Sequence, residues 1–362
     1  MDINIDLINS LGKLTVFLML LFSVFLITVR SNKQPANRLF AVFLLLIAFD
    51  FSGFFLGNTL NNYPTIQVFK MCSSLLQMPV FYLYILATCY ADFKLKPKHL
   101  LHTVFFFLFL IIFTESAVSD RTFLLFTVVG ELQYYAYIIL IFLSLRRYKT
   151  VYLENYSDHD NDAYKWLFQI TCFFCFAHLF VLVKLAVLYF RKDQALLQNI
   201  YLLISTVALF IICWFVLKAL YNPQLFTGVK IALEPIASVL EKNNTKPFKN
   251  GISDELTVSL RNYMESKAPH LDFELTLQKL AAQMEMPEKE LSVLINQKIG
   301  KHFFDFINAY RIEDAKRLLK DQTQLTVLEI LYQVGFSSKS SFYTAFKKET
   351  GLTPLGYRKS NI

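Results

Sequence analysis

The sequence predicts an all-α protein, a seven-transmembrane-helix bundle followed by a smaller domain of two helix-turn-helix units. Three observations predict it. Up to residue 220 the chain offers seven consecutive apolar runs, most of about the 20 residues that a lipid-spanning helix needs. These runs stop after residue 222, and from residue 254 apolar residues recur three and four apart, the period of half-buried helices. With 55% apolar residues and 37 Phe in a chain of 362, the composition exceeds that of a soluble globular protein, so much of its surface is expected to face lipid.

The seven runs are 11–29, 39–60, 66–90, 100–113, 122–145, 166–190 and 200–220, the fourth being short and followed by Glu115. The first has an acidic flank, Asp2 and Asp6, and no small-residue cleavage pattern, so it is expected to be a retained helix. Basic residues concentrate in one set of alternate loops: Arg30, Lys33 and Arg38, then Lys94, Lys96 and Lys98, then Arg146, Arg147, Lys149 and Lys165. The other set holds Arg121, Arg191 and Lys192 when the helix-edge Lys13 and Lys70 are left out. By the positive-inside rule the amino terminus lies outside. An odd number of spans then places the carboxyl-terminal domain in the cytoplasm, and the expected location is the inner (cell) membrane of a bacterium.

The expected boundaries are 1–222 for the membrane domain, 223–250 for a linker and 251–362 for the terminal domain. Pro223, Gly228, Pro235 and Pro247 punctuate the linker. Residues 231–242 read either as a short relay helix or as part of a flexible tether. The formal charge of +8 is unevenly spread, because 252–297 carries −4 and 298–362 carries +5. Only the second half of the terminal domain offers phosphates a net positive field.

Within that domain the first helix runs from about Glu255 to Lys267, with Leu256, Leu260, Tyr263 and Met264 inward. Thr276 caps the next helix, which buries Leu277, Leu280, Ala281 and Met284, and Pro287 takes the first position of its partner. That partner buries Leu291, Leu294 and Ile295 and stops at Gly300. A longer helix, from about His302 to Lys320, separates this unit from a second one. There Thr326 and Glu329 have capping-box spacing, Gly335 supplies the turn, and Ser337 or Ser338 caps a helix burying Phe342 and Phe346. Gly351 ends it, and Thr353 with Pro354 opens the last helix.

Paired short helices of this kind suit duplex DNA. One helix enters the major groove and reads base edges with its first turns, while its partner braces it against phosphates. Lys339, Ser340, Tyr343 and Thr344 face outward on the second reading helix, and Lys347, Lys348, Arg358 and Lys359 are placed for phosphates.

The pattern Arg311-Ile312-x-x-Ala315, Ile330, Gly335-Phe336, Phe342-x-x-x-Phe346-Lys347 and Gly351-x-Thr353-Pro354 resembles the AraC/XylS family of transcription regulators. The resemblance covers essentially all of 255–359. It implies two reading helices in successive major-groove segments. The base-reading positions it implies are Lys289, Ser292 and Val293 in the first unit, and Lys339, Ser340, Tyr343 and Thr344 in the second. Val293, which cannot hydrogen-bond a base, and Leu331, where the family has a small Ala, depart from the pattern. Asn296 and Gln297 supply polar groups beside Val293.

Ionisable groups inside spans are expensive and suggest function. Asp50, Glu131, His178 and Lys184 are the candidates for a ligand or sensor site. At about 1.5 Å per residue, Asp50, Glu131 and Lys184 fall at overlapping depths of roughly 15, 13 and 9 Å from the outer surface. Two readings follow: a sensor cavity in which Glu131 or Asp50 pairs with Lys184, or a pair that fixes helix packing while Lys184 snorkels outward. Cys172 and Cys175 sit in an apolar run without a partner pair and read as packing residues, so no metal is expected. No phosphate loop or nucleophile constellation is present in the sequence, and neither catalysis nor a cofactor is expected.

The functional reading is a membrane-integrated, one-component regulator whose partners are double-stranded promoter DNA, membrane lipids and an unidentified signal ligand; a homodimer is left open. The alternative is a receptor or transporter-like protein whose terminal domain binds a protein partner. Salt separates the two, since only phosphate neutralisation makes affinity fall steeply as salt rises.

Overall fold

In a computed structural model of the chain, residues 3–31, 34–90, 93–115, 118–157, 162–191, 193–222 and 254–360 are described. The linker 223–250, its stretch 231–242, and the loop residues Lys33 and Lys192 lie outside the described residues. The chain divides into two compact units, Met1–Arg146 with Asp162–Ala232, and Arg147–Asn161 with Leu233–Ile362. The described residues are helical, with no strand among them beyond one isolated bridge.

The first unit contains helices long and apolar enough to cross a membrane at all seven places the sequence indicates. Helix α1 (Ile3–Thr28) packs on α2 (Gln34–Phe51) and α9 (Gln194–Tyr221). The second span breaks at Ser52, whose hydroxyl donates to the Phe49 carbonyl at 2.6 Å, and continues as α3 (Gly53–Leu60). The third is α4 (Pro64–Ser73), a 3-10 turn at Ser74–Leu76 and α5 (Gln77–Cys89); the fourth is a 3-10 turn at Pro97–Thr103 followed by α6 (Val104–Glu115). Helix α8 (Asp162–Ala186) ends in a π-turn, Val187–Arg191. Apolar side chains such as Phe17, Ile111, Leu132 and Phe210 are exposed on the outside of this unit.

Inward, the bundle is held by aromatic rings. Phe40 stacks on Tyr84 at 4.6 Å and meets Trp166 edge-on, and the Trp166 indole donates to the Tyr84 hydroxyl at 2.9 Å. Each ring buries a large apolar face while the indole and phenol satisfy one another, which a water-free interior requires.

Helix α7 (Asp120–Asn155) contains the expected fifth span, 122–145, and extends past it. It does not end near residue 145; it continues to Asn155, contributing to the first unit up to Arg146 and to the second from Arg147. Its last turns carry Tyr148, Val151, Tyr152 and Asn155, buried at i, i+3, i+4 and i+7.

The rest of the second unit is α10 (Asp254–Lys267), a 3-10 turn at Pro269–Leu271, α11 (Leu277–Gln283), α12 (Glu288–Val293) continued by a π-turn to Ile299, α13 (Phe303–Asp321), α14 (Val327–Gln333), α15 (Lys339–Thr350) and α16 (Pro354–Ser360). The local signals act as read. Thr276 Oγ1 accepts from the Lys279 amide, Thr326 and Glu329 form a reciprocal capping box, and Gly300, Gly335 and Gly351 adopt positive φ. Of the two serines, Ser338 is the cap, accepting from the Ser341 amide.

Two details differ. Pro287 is the cap itself, in an extended conformation, because Glu285 at φ 54° has already turned the chain. Leu256 is exposed, since α10 meets the core only from its second turn.

Two cores result. One gathers Leu260, Met264, Leu280, Leu291, Leu294, Ile295 and Ile307 around α11 and α12. The other gathers Ile312, Ala315, Leu319, Ile330, Phe342 and Phe346 around α14 and α15, and Leu331 fills it completely buried. Gly335 has a specific reason to be glycine: at φ +86°, an added Cβ would lie 2.5 Å from the His270 carbonyl oxygen.

Candidate nucleic-acid interface

The two helices expected to read bases, α12 and α15, differ in exposure. On α15, Lys339, Ser340, Thr344 and Lys347 are exposed and Tyr343 is half-buried, so one face from the first turn onward is open to a groove. The Lys339 ammonium lies 5.4 Å from the Tyr343 ring centroid, a cation–π contact that presents both at the helix start. Lys348 pairs with Asp305 at 2.6 Å. Arg358 is half-buried, with Nε and Nη2 shielded and unbonded. Of the phosphate positions expected from sequence, Lys347, Lys348 and Lys359 reach solvent, Lys348 while paired with Asp305, and Arg358 is tucked against the domain.

On α12, Lys289 and Asn296 are half-buried and Gln297 is exposed, but Ser292 is 1% and Val293 8% exposed. With Leu291, Leu294 and Ile295 this makes five consecutive buried residues. A helix with one face in a core and the other in water cannot bury five in a row, because 100° per residue carries such a run right round the axis. Neither Ser292 nor Val293 belongs to the core beneath α12.

The outer side of α12 borders a cavity of about 460 Å³ lying between the two reading helices, walled by Ser292, Asn296, His302 and Lys348 among others. Glu154 of α7 stands in that wall, within Coulombic reach of His302. Burial, and then the charge of Glu288 at the start of α12, raises the pKa of the Tyr156 phenol. Tyr156 also forms an antiparallel bridge with Thr276, the cap of α11.

Arg311 on α13 fixes this arrangement. Its guanidinium is almost wholly buried, and buried charge is costly unless its donors are satisfied. Nε donates to His270 O at 2.7 Å, Nη1 to Ser157 O at 3.0 Å and Asn308 Oδ1 at 3.4 Å, and Nη2 to Ser157 Oγ at 3.0 Å and Asp272 O at 2.8 Å. Two of these five bonds end on Ser157, whose hydroxyl donates in turn to Leu275 O at 2.8 Å. Residues 147–157 are thus built into the second unit at the first reading helix. Sequence reading missed them because they fall in a basic segment counted as a loop.

In the first unit, the candidate sensor residues are paired differently from expectation. Asp50 meets Lys70 at 3.4 Å, and Glu131 meets the His178 ring, Nε2 to Oε2, at 2.9 Å with Tyr134 stacked on that ring at 3.6 Å. Neither carboxylate takes Lys184. Lys70, set aside as a helix-edge charge, reaches Asp50 because Gly53 leaves it room; a Cβ there would sit 2.7 Å from its Nζ. Among the described residues no cluster of three metal-ligating side chains occurs.

Residues 280–360 match a family model described as a helix-turn-helix domain. The chain is 27% identical over 127 residues to the HTH-type transcriptional regulator YtdP of Bacillus subtilis, covering 35% of this chain and 15% of that one. It is 29% identical over 146 residues to YobQ of the same organism (37% and 60%), and 27% over 142 residues to the xylose operon regulatory protein of Haemophilus influenzae (39% and 35%). The C-terminal domain of the two-component response regulator yesN from Fusobacterium nucleatum is 33% identical, with 29% of this chain and 98% of that one covered and a TM-score of 0.26. The chain spans less than two thirds of the length of YtdP, YobQ and the Haemophilus protein. YtdP and YobQ are named as HTH-type transcriptional regulators and the Haemophilus protein as an operon regulator.

Proposed function

We propose that this chain, whose residues 280–360 form an AraC-type helix-turn-helix domain, is a membrane-integrated regulator of transcription that binds double-stranded promoter DNA from the cytoplasmic face of a bacterial inner membrane. In this reading α15 contacts bases through Lys339, Ser340, Tyr343 and Thr344, with Lys347 on phosphate. Helix α12 adds Lys289, Ser292, Asn296 and Gln297 once its outer face is free. Residues 147–157 hold that face covered, and a signal at the spans releases them, with Asp50, Glu131, His178 and Lys184 as the sensing groups.

The observation that carries the reading is a shared helix. Helix α7 counts among the apolar spans, yet from Arg147 it supplies part of the helix-turn-helix unit. An inert anchor has no need of a segment that gives a buried arginine two of its acceptors and borders a reading helix. A change in α7 has a direct covalent route to α12.

The test is selection of duplexes by the full chain in lipid nanodiscs, followed by salt titration of the selected sequence. Enrichment of a defined site, with affinity falling steeply as salt rises, is expected. No duplex affinity at low salt would replace this reading with a domain that binds protein.

A further inference from the structure

We infer that the first unit holds a binding site for an amphipathic anion, an apolar body carrying a carboxylate or comparable acidic head, against the wall formed by α7. The inference deepens the sensing reading by naming its ligand class. It starts from a cavity of about 490 Å³ within the bundle, a volume in the range of sites for drug-sized molecules. Its walls are mainly apolar, with Phe43, Phe126, Phe174 and Phe215 among them.

The polar groups in those walls decide the chemistry. Asp50 is tied to Lys70 and Glu131 to His178; Gln133 donates to Leu75 O at 3.1 Å, and the Tyr134 hydroxyl to Phe174 O at 3.2 Å. Two groups are left over. Gln77 Nε2 is buried with no hydrogen-bond partner, and Lys184 forms no ion pair or hydrogen bond among the described residues. Both are donors. The buried Gln77 amide N–H and the half-buried Lys184 ammonium favour an acceptor carrying negative charge, because an unmatched buried donor is costly and an ammonium gains most from an anionic acceptor. The aromatic walls take the rest of the molecule.

The placement gives such a ligand leverage. Phe123, Phe126, Thr127, Gly130, Glu131 and Tyr134 of the cavity wall all belong to α7. This is the helix whose continuation beyond Arg146 carries Glu154 and leads directly to Ser157. A body filling the cavity therefore bears on the segment that covers α12.

The probe is dodecanoate, with dodecanol as the same body without the charge, bound to the full chain in phosphatidylcholine nanodiscs and corrected for empty discs. Saturable dodecanoate binding is expected, with dodecanol at least about tenfold weaker, the worth of one charge-assisted hydrogen bond. Lys184→Met and Gln77→Leu should each shrink that preference, and Lys184→Arg should keep it. Equal binding of acid and alcohol, or full dodecanoate affinity in both Lys184→Met and Gln77→Leu, overturns the site. In discs containing phosphatidylglycerol, blocked dodecanoate binding assigns the anion to a lipid headgroup and unchanged binding to a free acid; both uphold an anion site. Dodecanoate binding that leaves DNA affinity unmoved upholds the site and removes the sensing reading.

Discussion

Replacing Ser157 by Ala should make the protein bind DNA more tightly. The hydroxyl is the donor to Leu275 O at 2.8 Å and the acceptor from Arg311 Nη2 at 3.0 Å, and both bonds exist only while residues 147–157 are docked. A neutral hydrogen bond contributes about 1 kcal/mol and one to a charged donor about 1.5 to 3. The two share one atom and are not additive, so about 2 kcal/mol is a conservative loss, which weakens docking about 30-fold. If the undocked form is about 1% of the protein, it rises to about 23%. Apparent affinity scales with the competent fraction, so DNA binding tightens about 20-fold. Fluorescence anisotropy with a selected duplex and nanodisc-embedded protein measures this directly. Unchanged or weaker binding by a Ser157→Ala protein of undiminished helicity would refute the idea that docking and DNA compete.

Three further outcomes follow from the same unit. Lys339→Ala should cost about 1 to 3 kcal/mol on the preferred duplex and little on others if Lys339 reads a base, whereas a uniform loss over all duplexes would make it a phosphate contact. Gly335→Ala should destabilise the second unit by about 3 kcal/mol or more, since φ +86° strains an L side chain and the Cβ would meet the His270 carbonyl; a urea midpoint equal to that of the parent would contradict it. The Thr326 amide, and then its hydroxyl, hold the Glu329 carboxyl below its ordinary value of 4.5. A carboxyl pKa lowered by folding contributes stability that is complete above 4.5 and fades as pH falls through the folded value. Melting curves taken from neutral pH downward should therefore show less acid dependence in Glu329→Gln, and superimposable acid profiles would discount the capping box.

What could be read from the sequence was local in cause. Runs of about 20 apolar residues give helices long and apolar enough to cross a membrane, because a helix satisfies its backbone polar groups within itself. Thr276, Thr326 with Glu329, Gly300 and Gly351 mark helix ends because a cap needs a particular side chain or a positive φ at one position. The exposed residues of α15 follow from the 3.6-residue period once Phe342 and Phe346 are placed inward.

What escaped reading joins distant segments. Ser157 and Arg311 are 154 positions apart, Glu131 and His178 are 47, and no periodicity reports such a pairing. The stripe Tyr148, Val151, Tyr152 and Asn155 was visible at helical spacing, but it continues a span without a break and sits among Arg146, Arg147 and Lys149. Charge counting took it for a loop. Ser292 shows the limit: its type and register suit base reading, yet it is 1% exposed and its hydroxyl accepts from Asn296 of the same turn at 3.2 Å.

The most direct measurement locks the covering segment in place. Tyr156 and Thr276 are paired in an antiparallel bridge, whose Cα separation of about 4.5 to 5.5 Å is within disulfide range. Tyr156→Cys with Thr276→Cys, in a background cleared of the native cysteines Cys72, Cys89, Cys172, Cys175 and Cys213, can be oxidised and reduced in one sample while DNA affinity is followed. The oxidised protein should bind its preferred duplex at least about tenfold more weakly than the same protein after reduction, as expected when the competent fraction is locked out. Equal affinity in the two states would show that residues 147–157 leave α12 free to work, and the proposed control of DNA binding by the spans would fall with it.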